Sequence, residues 1–454
     1  MNQLNNKQRS RVLFYGLLGV LLSLCFIRYS LQINIPVETM LAVAVLIAVM
    51  GDKDEIIAMC VCCIPLYTSI QYPYVLFICM GLYLLKFSAD INFNLTILPV
   101  VLMIVWELLH CFGAPFAPIA FVNDCLPLLL LVLLMCSGKT KFDYDFIVRA
   151  LAISVAAMCL CLLGRLLYTA RFDVVAALSG LRRLGLDSSE VKGSIEITGG
   201  QQNPNTLGIL CVLVVSGLMQ LRNAGRGKHT DGLLMVFLLL FGAMTSSRTF
   251  LACLAIMVVL LIAAQKGSLS QKLKFIGGVV LIILLALALL YLLLPDLLEY
   301  YYGRFFVEDI STGRADLMTI YHNYIVSNPK VLLFGIGLHD YVEKVVNVYR
   351  ICNVVPHNGI QELIVAWGIP GVALFVYLWL TMIFRARRVN PKLNLLHLIP
   401  FIVLMAKIQA GQMLDSPYTM LAFSYCYLSM ANVNTTVERK MGMKHGFFKK
   451  ELDK

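Results

Sequence analysis

Residues 357–384 read HNGIQELIVAWGIPGVALFVYLWLTMIF, a polar start followed by an apolar run that Gly-Ile-Pro-Gly interrupts at residues 368–371. A bilayer core of about 30 Å requires about 20 helical residues, so this run is long enough to cross a membrane. Residues 303–356, which precede it, are rich in arginine, histidine, amide side chains and glycine. The sequence therefore predicts a membrane-spanning helix that a polar segment enters near His357.

The composition extends this prediction to the whole chain of 454 residues. Hydrophobic residues make up 59% of it and charged residues 14%, and the mean hydropathy is +0.81. Soluble domains are rarely so apolar. We expect an all-α polytopic membrane protein with about 12–14 transmembrane helices and a large extracytoplasmic loop. The apolar runs lie at residues 12–29, 35–50, 56–70, 73–86, 95–112, 117–137, 146–168, 204–221, 232–246, 249–264, 275–294, 357–384, 395–413 and 417–431.

The basic residues divide the loops into two sets. Short cytoplasmic loops carry an excess of lysine and arginine, and a cytoplasmic N-terminus places every short basic loop on that side. The net charge of +11 is then explained by topology, and no nucleic-acid partner is expected. The predicted divisions are N-terminal transmembrane helices (1–168), an outer loop (169–203), central transmembrane helices (204–294), a large extracytoplasmic loop (295–356), C-terminal transmembrane helices (357–431) and a basic cytoplasmic tail (432–454).

Cations in the two outer loops admit two interpretations. They could form a solvated surface, because long loops escape the charge rule, or an anion-binding face. Ionisable residues inside the spans bear on this choice, since each costs roughly 2.5–3.5 kcal/mol at mid-bilayer unless it is paired or hydrated. Those residues fall in the outer halves of their predicted helices, as a polar cavity opening outward requires, although snorkelling is an alternative. They are Glu38, Glu107, Asp124, Arg165, Glu362 and Lys407.

Two arginines are candidate phosphate ligands. Arg248 lies between two apolar runs in Thr-Ser-Ser-Arg-Thr, and Arg314 follows Gly313 in the large loop. A guanidinium group has the planar geometry that suits phosphate oxygens. The alternative for each is a structural ion pair, and for Arg314 the partner would be Asp309 or Asp316. We expect the two to clamp a diphosphate, with Arg182 and Arg183 of the first outer loop as further ligands.

His357 is the candidate proton acceptor. It precedes an apolar run, and an ordinary histidine pKa near 6.5 permits proton transfer at neutral pH. A helix cap or a surface residue is the alternative. Other candidate binding residues lie close to it in the sequence or near the ends of other spans. For one of them, Asn205 in Asn-Pro-Asn, the alternative is an ordinary helix cap. They are Asn205, His339, Asn358, Gln361 and Glu362.

Other kinds of site are not indicated. Phe334-Gly-Ile-Gly lacks the third glycine and the βαβ context of a dinucleotide-binding motif, so we expect a backbone turn under the substrate. The cysteines are scattered and lie mostly in apolar runs. No histidine or carboxylate stands at metal-ligand spacing from Cys60, Cys62 and Cys63, so neither a metal site nor a cofactor is expected.

The ordered motifs resemble those of the O-antigen ligase and O-antigen polymerase superfamily of bacterial integral membrane glycosyltransferases. The resemblance extends over about residues 200–415, whereas the earlier spans match only as hydrophobic helices. It rests on Asn-Pro-Asn at 203–205, Ser-Arg-Thr at 247–249, Gly-Arg at 313–314, Asn-Pro at 328–329 with Phe-Gly-Ile-Gly, and His-Asn at 357–358 with Gly-Ile-Pro-Gly.

The resemblance implies a C-type glycosyltransferase fold that acts without a metal ion. The donor would be a polyprenyl-diphosphate-linked oligosaccharide at the outer face of the bacterial cytoplasmic membrane. Arg248 and Arg314 would hold the diphosphate, and His357 would be the base or would orient the acceptor. We expect a polysaccharide polymerase, with an O-antigen ligase as the closest alternative and a flippase as an alternative of another class. A chain-length regulator and a separate flippase are candidate partners.

Overall fold

The computed structural model folds as a bundle of α-helices, without a β-strand in the part of the chain that it describes. This confirms the predicted all-α polytopic membrane architecture. Among the described residues, five helices are long and apolar enough to cross a membrane, namely Lys7–Tyr29, Tyr72–Asp90, Tyr144–Thr169, Pro204–Asn223 and Gly359–Val389. The structure describes residues 2–432 except 67–68, 94, 113–117, 138–141, 175–176, 178–183, 185–202, 265–267, 269, 271, 275–276, 279–287, 289–290, 293–294, 308–312, 412 and 415–416.

Each of the other predicted apolar runs contains a helix, whereas most of the run 275–294 lies outside the described residues. Several of the helices are shorter than a bilayer crossing requires, so the predicted number of spans stays a prediction. In chain order, the helices of these runs are Asn2–Tyr29, Val37–Met50, Lys53–Leu66, Tyr72–Phe87, Leu98–His110, Pro118–Cys136, Tyr144–Thr169, Pro204–Asn223, His229–Met244, Arg248–Ala264, Gly359–Val389, Leu395–Ile408 and Pro417–Met430.

The predicted large loop is folded into short helices. Pro295–Tyr302 continues into a π-helical turn at Gly303–Val307, and the helix Arg314–Ser327 follows. The helix Pro329–Phe334 then packs against both Arg314–Ser327 and Gly359–Val389. The loop is therefore held against the bundle.

The helix Gly359–Val389 is broken at Gly368, whose φ of 67° and ψ of −165° are not helical. Pro370 lacks an N–H, which leaves the carbonyl of Ala366 without its helical donor. Gly337 N–H donates to that carbonyl at 2.7 Å, and Ile336 N–H donates to Val365 O at 2.9 Å. The Phe-Gly-Ile-Gly turn thus supplies the hydrogen bonds that the break in the helix leaves open, as a low-dielectric environment requires.

Glycine is needed on both sides of this contact. A Cβ on Gly335 would lie 2.3 Å from Ala366 O, and a Cβ on Gly368 would lie 2.6 Å from Leu333 O. Both glycines also have φ values in the left-handed region. The two backbones approach more closely than any other residue type would allow, which fixes the large loop at the level of the break.

A buried carboxylate completes this joint. Glu107, on the helix Leu98–His110, accepts hydrogen bonds from Leu338 N–H at 2.8 Å and His339 N–H at 2.7 Å, and also from the indole of Trp367. Its two oxygens therefore bridge the large loop and the broken helix. This accounts for one of the ionisable residues that the sequence places inside a predicted span.

Charged residues at the opposite end of the bundle form ion pairs. Arg149 binds Asp231 through two hydrogen bonds of 2.9 Å, and Arg226 Nη1 lies 2.5 Å from Asp145 Oδ1. Arg11 Nη2 lies 2.8 Å from the buried carboxylate of another helix, Asp54. We call this the paired end. All these residues lie at helix ends that the charge pattern assigns to the cytoplasmic side.

Candidate functional site

Two arginines are locked together at the other end of the bundle. Ser246, with a φ of 49°, lies in the turn that precedes the helix Arg248–Ala264. Arg304 Nε donates to Ser246 O at 2.9 Å, and Arg248 donates in return to the carbonyl oxygen of Arg304. The π-helical turn of the large loop therefore fixes both guanidinium groups against one turn.

Arg314 is the third cation of this group. Gly313, with a φ of 75°, turns the chain so that Arg314 begins the helix Arg314–Ser327. Burial lowers the pKa of Arg314, and the charges of Arg248 and Arg304 lower it further. These three residues, Arg248, Arg304 and Arg314, are called the arginine cluster below.

Arg314 has no hydrogen bond or ion pair with any residue that the structure describes. An ion pair with Asp316, one of the structural alternatives, is therefore not formed, and Asp309 lies outside the described residues. A partly buried guanidinium that faces two others is costly without an anion. The cluster is suited to a ligand that carries several negative charges.

His357 lies beside the arginine cluster. Burial lowers its pKa below the ordinary value of 6.5, with further contributions from the charges of Arg314 and Lys407. Its Nδ1 atom is buried and has no hydrogen-bond partner within the described part of the chain. A neutral imidazole with an unused ring nitrogen can accept a proton, which is the role that the sequence predicts.

The segment that carries His357 is fixed against the helix of Arg314. The hydroxyl of Tyr321 donates to Val354 O at 2.7 Å, and Tyr321 itself is buried. Gln361, four residues after His357, donates through Nε2 to Met318 O at 2.8 Å. These bonds hold His357 and Arg314 in one arrangement, so Gln361 positions the site.

Asn205 lies beside the turn that precedes Arg248. Ser247 donates to its side-chain oxygen at 2.8 Å, which places Asn205 next to the turn that carries Arg248. Asn203 caps the helix Pro204–Asn223 by accepting from Asn205 N–H at 2.9 Å. The capping function thus belongs to Asn203, and Asn205 remains a candidate substrate contact.

Asn358 and Glu362 make contacts that build the fold. Asn358 caps its helix by accepting from Ile360 and Gln361 N–H, and it donates to Gln409 O at 3.1 Å. Glu362 is fully buried and accepts from Met413 N–H. These contacts attach the start of this helix to Gln409 and Met413, so the binding role of both residues stays a prediction.

Of the remaining predicted site residues, the structure describes only His339. His339 belongs to the Glu107 joint, where its ring Nε2 lies 3.3 Å from Asp340 Oδ2. Arg182 and Arg183 lie outside the described residues. The structure therefore brings together Arg248, Arg314, His357, Asn205 and Gln361 of the predicted set.

The predicted set omits two cations. Arg304 is one of several cations in the large loop, and no local motif distinguishes it from the others. Lys407 had a clearer signal, because it is an ionisable residue inside an apolar run. It is buried, with Nζ 2.8 Å from Thr419 Oγ1 and 4.7 Å from the centre of the Tyr418 ring.

Comparison with known proteins agrees with the motifs. Residues 233–376 match the model of a protein family described as O-antigen ligase. The matched range contains the arginine cluster, His357 and both glycine motifs of the joint, whereas Asn205 precedes it. No curated protein matches the chain. The family match supports the resemblance to the O-antigen ligase and polymerase superfamily.

Proposed function

We propose that this chain, a multi-pass membrane protein with O-antigen ligase or polymerase-type activity, is a metal-independent glycosyltransferase that uses a polyprenyl-diphosphate-linked donor. It would transfer a glycan chain from that carrier to a sugar hydroxyl of a lipid-linked repeat unit. The family match supports the general activity, and the donor and acceptor are our inference. The proposed location is the bacterial cytoplasmic membrane, with the site on the extracytoplasmic face.

The observation that carries this proposal is the position of Arg314 beside two other guanidinium groups and a neutral histidine. A diphosphate would neutralise the like charges that lower the pKa of Arg314. His357, with its buried and unused Nδ1, would stand beside the phosphate site. A solvated surface requires neither the burial of these groups nor their proximity to one another.

The proposed reaction uses charge stabilisation and one proton transfer. The acceptor hydroxyl oxygen attacks the anomeric carbon of the donor, and the bond from that carbon to the phosphate oxygen breaks. A ring nitrogen of His357 takes the hydroxyl proton, and the polyprenyl diphosphate leaves with the bonding electrons. The arginine cluster stabilises the negative charge that develops on the leaving group, which is where electrostatic stabilisation lowers a barrier.

Other predicted residues have supporting roles in this proposal. Asn205, held by Ser247 next to Arg248, would donate through its amide to a phosphate or sugar oxygen. Arg182 and Arg183 remain proposed ligands from the first outer loop. The hydrophobic helices around the site would accommodate the prenyl chain. A chain-length regulator and a flippase are the proposed protein partners.

The polymerase and the ligase use the same donor, so a gene deletion separates them. If the chain is a polymerase, deletion should leave single repeat units on the cell surface. Accumulation of full-length lipid-linked polymer would instead identify a ligase, the activity that the family description names.

A flippase for the same lipid is excluded by activity without a second compartment. Purified chain in detergent should convert lipid-linked oligosaccharide into longer products, and should do so in excess chelator. Absence of product with both a lipid-linked acceptor and a lipid A core acceptor would refute the glycosyltransferase. Strict dependence on Mg²⁺ or Mn²⁺ would contradict charge stabilisation by arginine.

A further inference from the structure

An open groove of about 430 Å³ lies near the end of the helix Gly359–Val389 that is remote from the arginine cluster. One wall is a face of this helix that includes Tyr377, Phe384 and Arg388, and the facing wall includes Leu95. Twenty residues separate Gly368 from Arg388, which corresponds to about 30 Å along a helix. The groove is therefore distinct from the proposed glycosyltransferase site.

The side chains along this wall are mostly apolar over its length and basic at its end, which matches the apolar chain and charged head group of a lipid. Tyr377, Thr381, Phe384 and Arg388 are spaced by three or four residues, which places them on one face of the helix. From Tyr377 to Arg388 the helix rises about 16 Å. Apolar side chains occupy most of that length, and both arginines of the groove stand at its final turn.

The two arginines are available for an anion at the rim. Arg385 Nε donates to Met135 O at 2.9 Å, which fixes its guanidinium group beside the end of another helix. Arg388 is exposed. Neither forms an ion pair with a carboxylate anywhere in the described ranges. This differs from the neighbouring paired end, where arginines contact aspartates.

Apolar side chains of the groove are exposed close to the two arginines. Leu95 is 81% exposed and Phe384 is 63% exposed. Exposed apolar surface beside basic residues at a helix end is suited to a lipid with an anionic head group. The acyl chain of such a lipid packs against the apolar surface, and its phosphate binds the cations.

We propose that this groove is a binding site for an anionic phospholipid. The phosphate of the head group binds Arg385 and Arg388, and one acyl chain lies along Phe384, Thr381 and Tyr377 against Leu95. On the topology that the charge pattern predicts, this lipid belongs to the cytoplasmic leaflet. The site does not depend on the proposed glycosyltransferase activity.

Lipid binding to the purified full-length chain tests this proposal. Native mass spectrometry should show bound phosphatidylglycerol in preference to phosphatidylcholine. Arg388→Gln should weaken the binding of phosphatidylglycerol about fivefold, which corresponds to the loss of one basic contact at a membrane surface. Phe384→Ala should weaken the binding of both lipids, because it shortens the apolar wall.

Arg387→Gln is the matched control. Arg387 is exposed, carries the same charge as Arg388 and does not line the groove. Its substitution should leave the affinity for phosphatidylglycerol unchanged. Equal binding of the two lipids by the wild-type chain, or equal losses in Arg387→Gln and Arg388→Gln, would overturn the proposal in favour of a nonspecific basic surface.

Discussion

Arg149 and Arg314 are both partly buried near helix ends, but their surroundings are opposite. Arg149, at the paired end, makes two hydrogen bonds to the carboxylate of Asp231. Arg314 lies near two other cations, and no described residue accepts a hydrogen bond from it or pairs with it. Burial and the neighbouring cations oppose the charge of Arg314, whereas the carboxylate of Asp231 balances the charge of Arg149.

The difference assigns the two ends to different tasks. Removal of one partner from a buried ion pair has a high cost in folding free energy, because the other charge stays buried without compensation. A group of like charges destabilises the empty fold and is neutralised when an anion binds. The paired end therefore holds helices together, and the arginine cluster retains an interaction for a ligand.

The largest expected effect is on turnover in Arg314→Ala. Arginines that stabilise negative charge on phosphate groups can contribute about 10³- to 10⁵-fold to a rate, so glycan extension should fall at least about 10³-fold. The melting temperature in detergent should be unchanged or slightly higher, because a repulsive contact is removed. Radiolabelled glycan transfer and thermal denaturation of the same preparation measure the two effects.

Lys330→Ala is the control for this experiment. Lys330 is an exposed cation of the same large loop, and its removal should leave both turnover and melting temperature unchanged. If Arg314→Ala clearly lowered the melting temperature together with turnover, Arg314 would be structural and the contrast with Arg149 would fail.

His357→Ala should reduce turnover by about 10²- to 10⁴-fold, the usual contribution of a general base. Binding of the donor should be retained, because the arginine cluster is intact. Titration with a non-transferable polyprenyl-diphosphate analogue measures the binding, and single-turnover kinetics measure the chemical step. A variant that transfers glycan at the wild-type rate would remove His357 from the proposed mechanism.

The paired end should respond in the opposite way. Arg149→Ala leaves the buried carboxylate of Asp231 without its partner, which should cost about 3–5 kcal/mol of unfolding free energy. The melting temperature should fall clearly, whereas turnover per folded molecule should change little. Chemical denaturation in mixed micelles, together with glycan transfer at a temperature where the variant is folded, tests both expectations.

A double substitution sharpens this result. Arg149→Met combined with Asp231→Leu removes both charges, so it should recover much of the stability that Arg149→Ala loses. If the double variant were no more stable than the single one, the loss would come from packing and not from an unpaired carboxylate.

The helices of the apolar runs could be predicted from the sequence because hydrophobic length determines them locally. The arginine cluster was only partly predictable, since Arg248 and Arg314 lie in short motifs and Arg304 does not. The role of Arg304 depends on the hydrogen bond that its backbone carbonyl accepts from Arg248, a residue distant in sequence, and no local pattern encodes this contact.

The glycine motifs illustrate the same limit. Phe-Gly-Ile-Gly and Gly-Ile-Pro-Gly were recognisable as separate segments, and a turn under the substrate was expected for the first. The structure shows that the two segments meet, with Ile336 and Gly337 donating to carbonyls before the break at Gly368. Two complementary irregularities in distant segments can be paired only when the tertiary structure is known.

The smallest effect expected is on the pH profile. The charge of Lys407 contributes to the lowered pKa of His357, after burial and the charge of Arg314. Lys407→Met removes a cation, so the pKa of His357 should rise towards its ordinary value of 6.5. Protonated His357 cannot accept the hydroxyl proton, and kcat/KM should therefore decline at a higher pH in the variant than in the wild type. Lys330→Met is the control. It should leave the acidic limb of the pH profile unchanged, because Lys330 is exposed on the large loop. If the acidic limb of Lys407→Met fell at the same pH as in the wild type, burial and Arg314 alone would keep His357 neutral, and the electrostatic role would be confined to the arginine cluster.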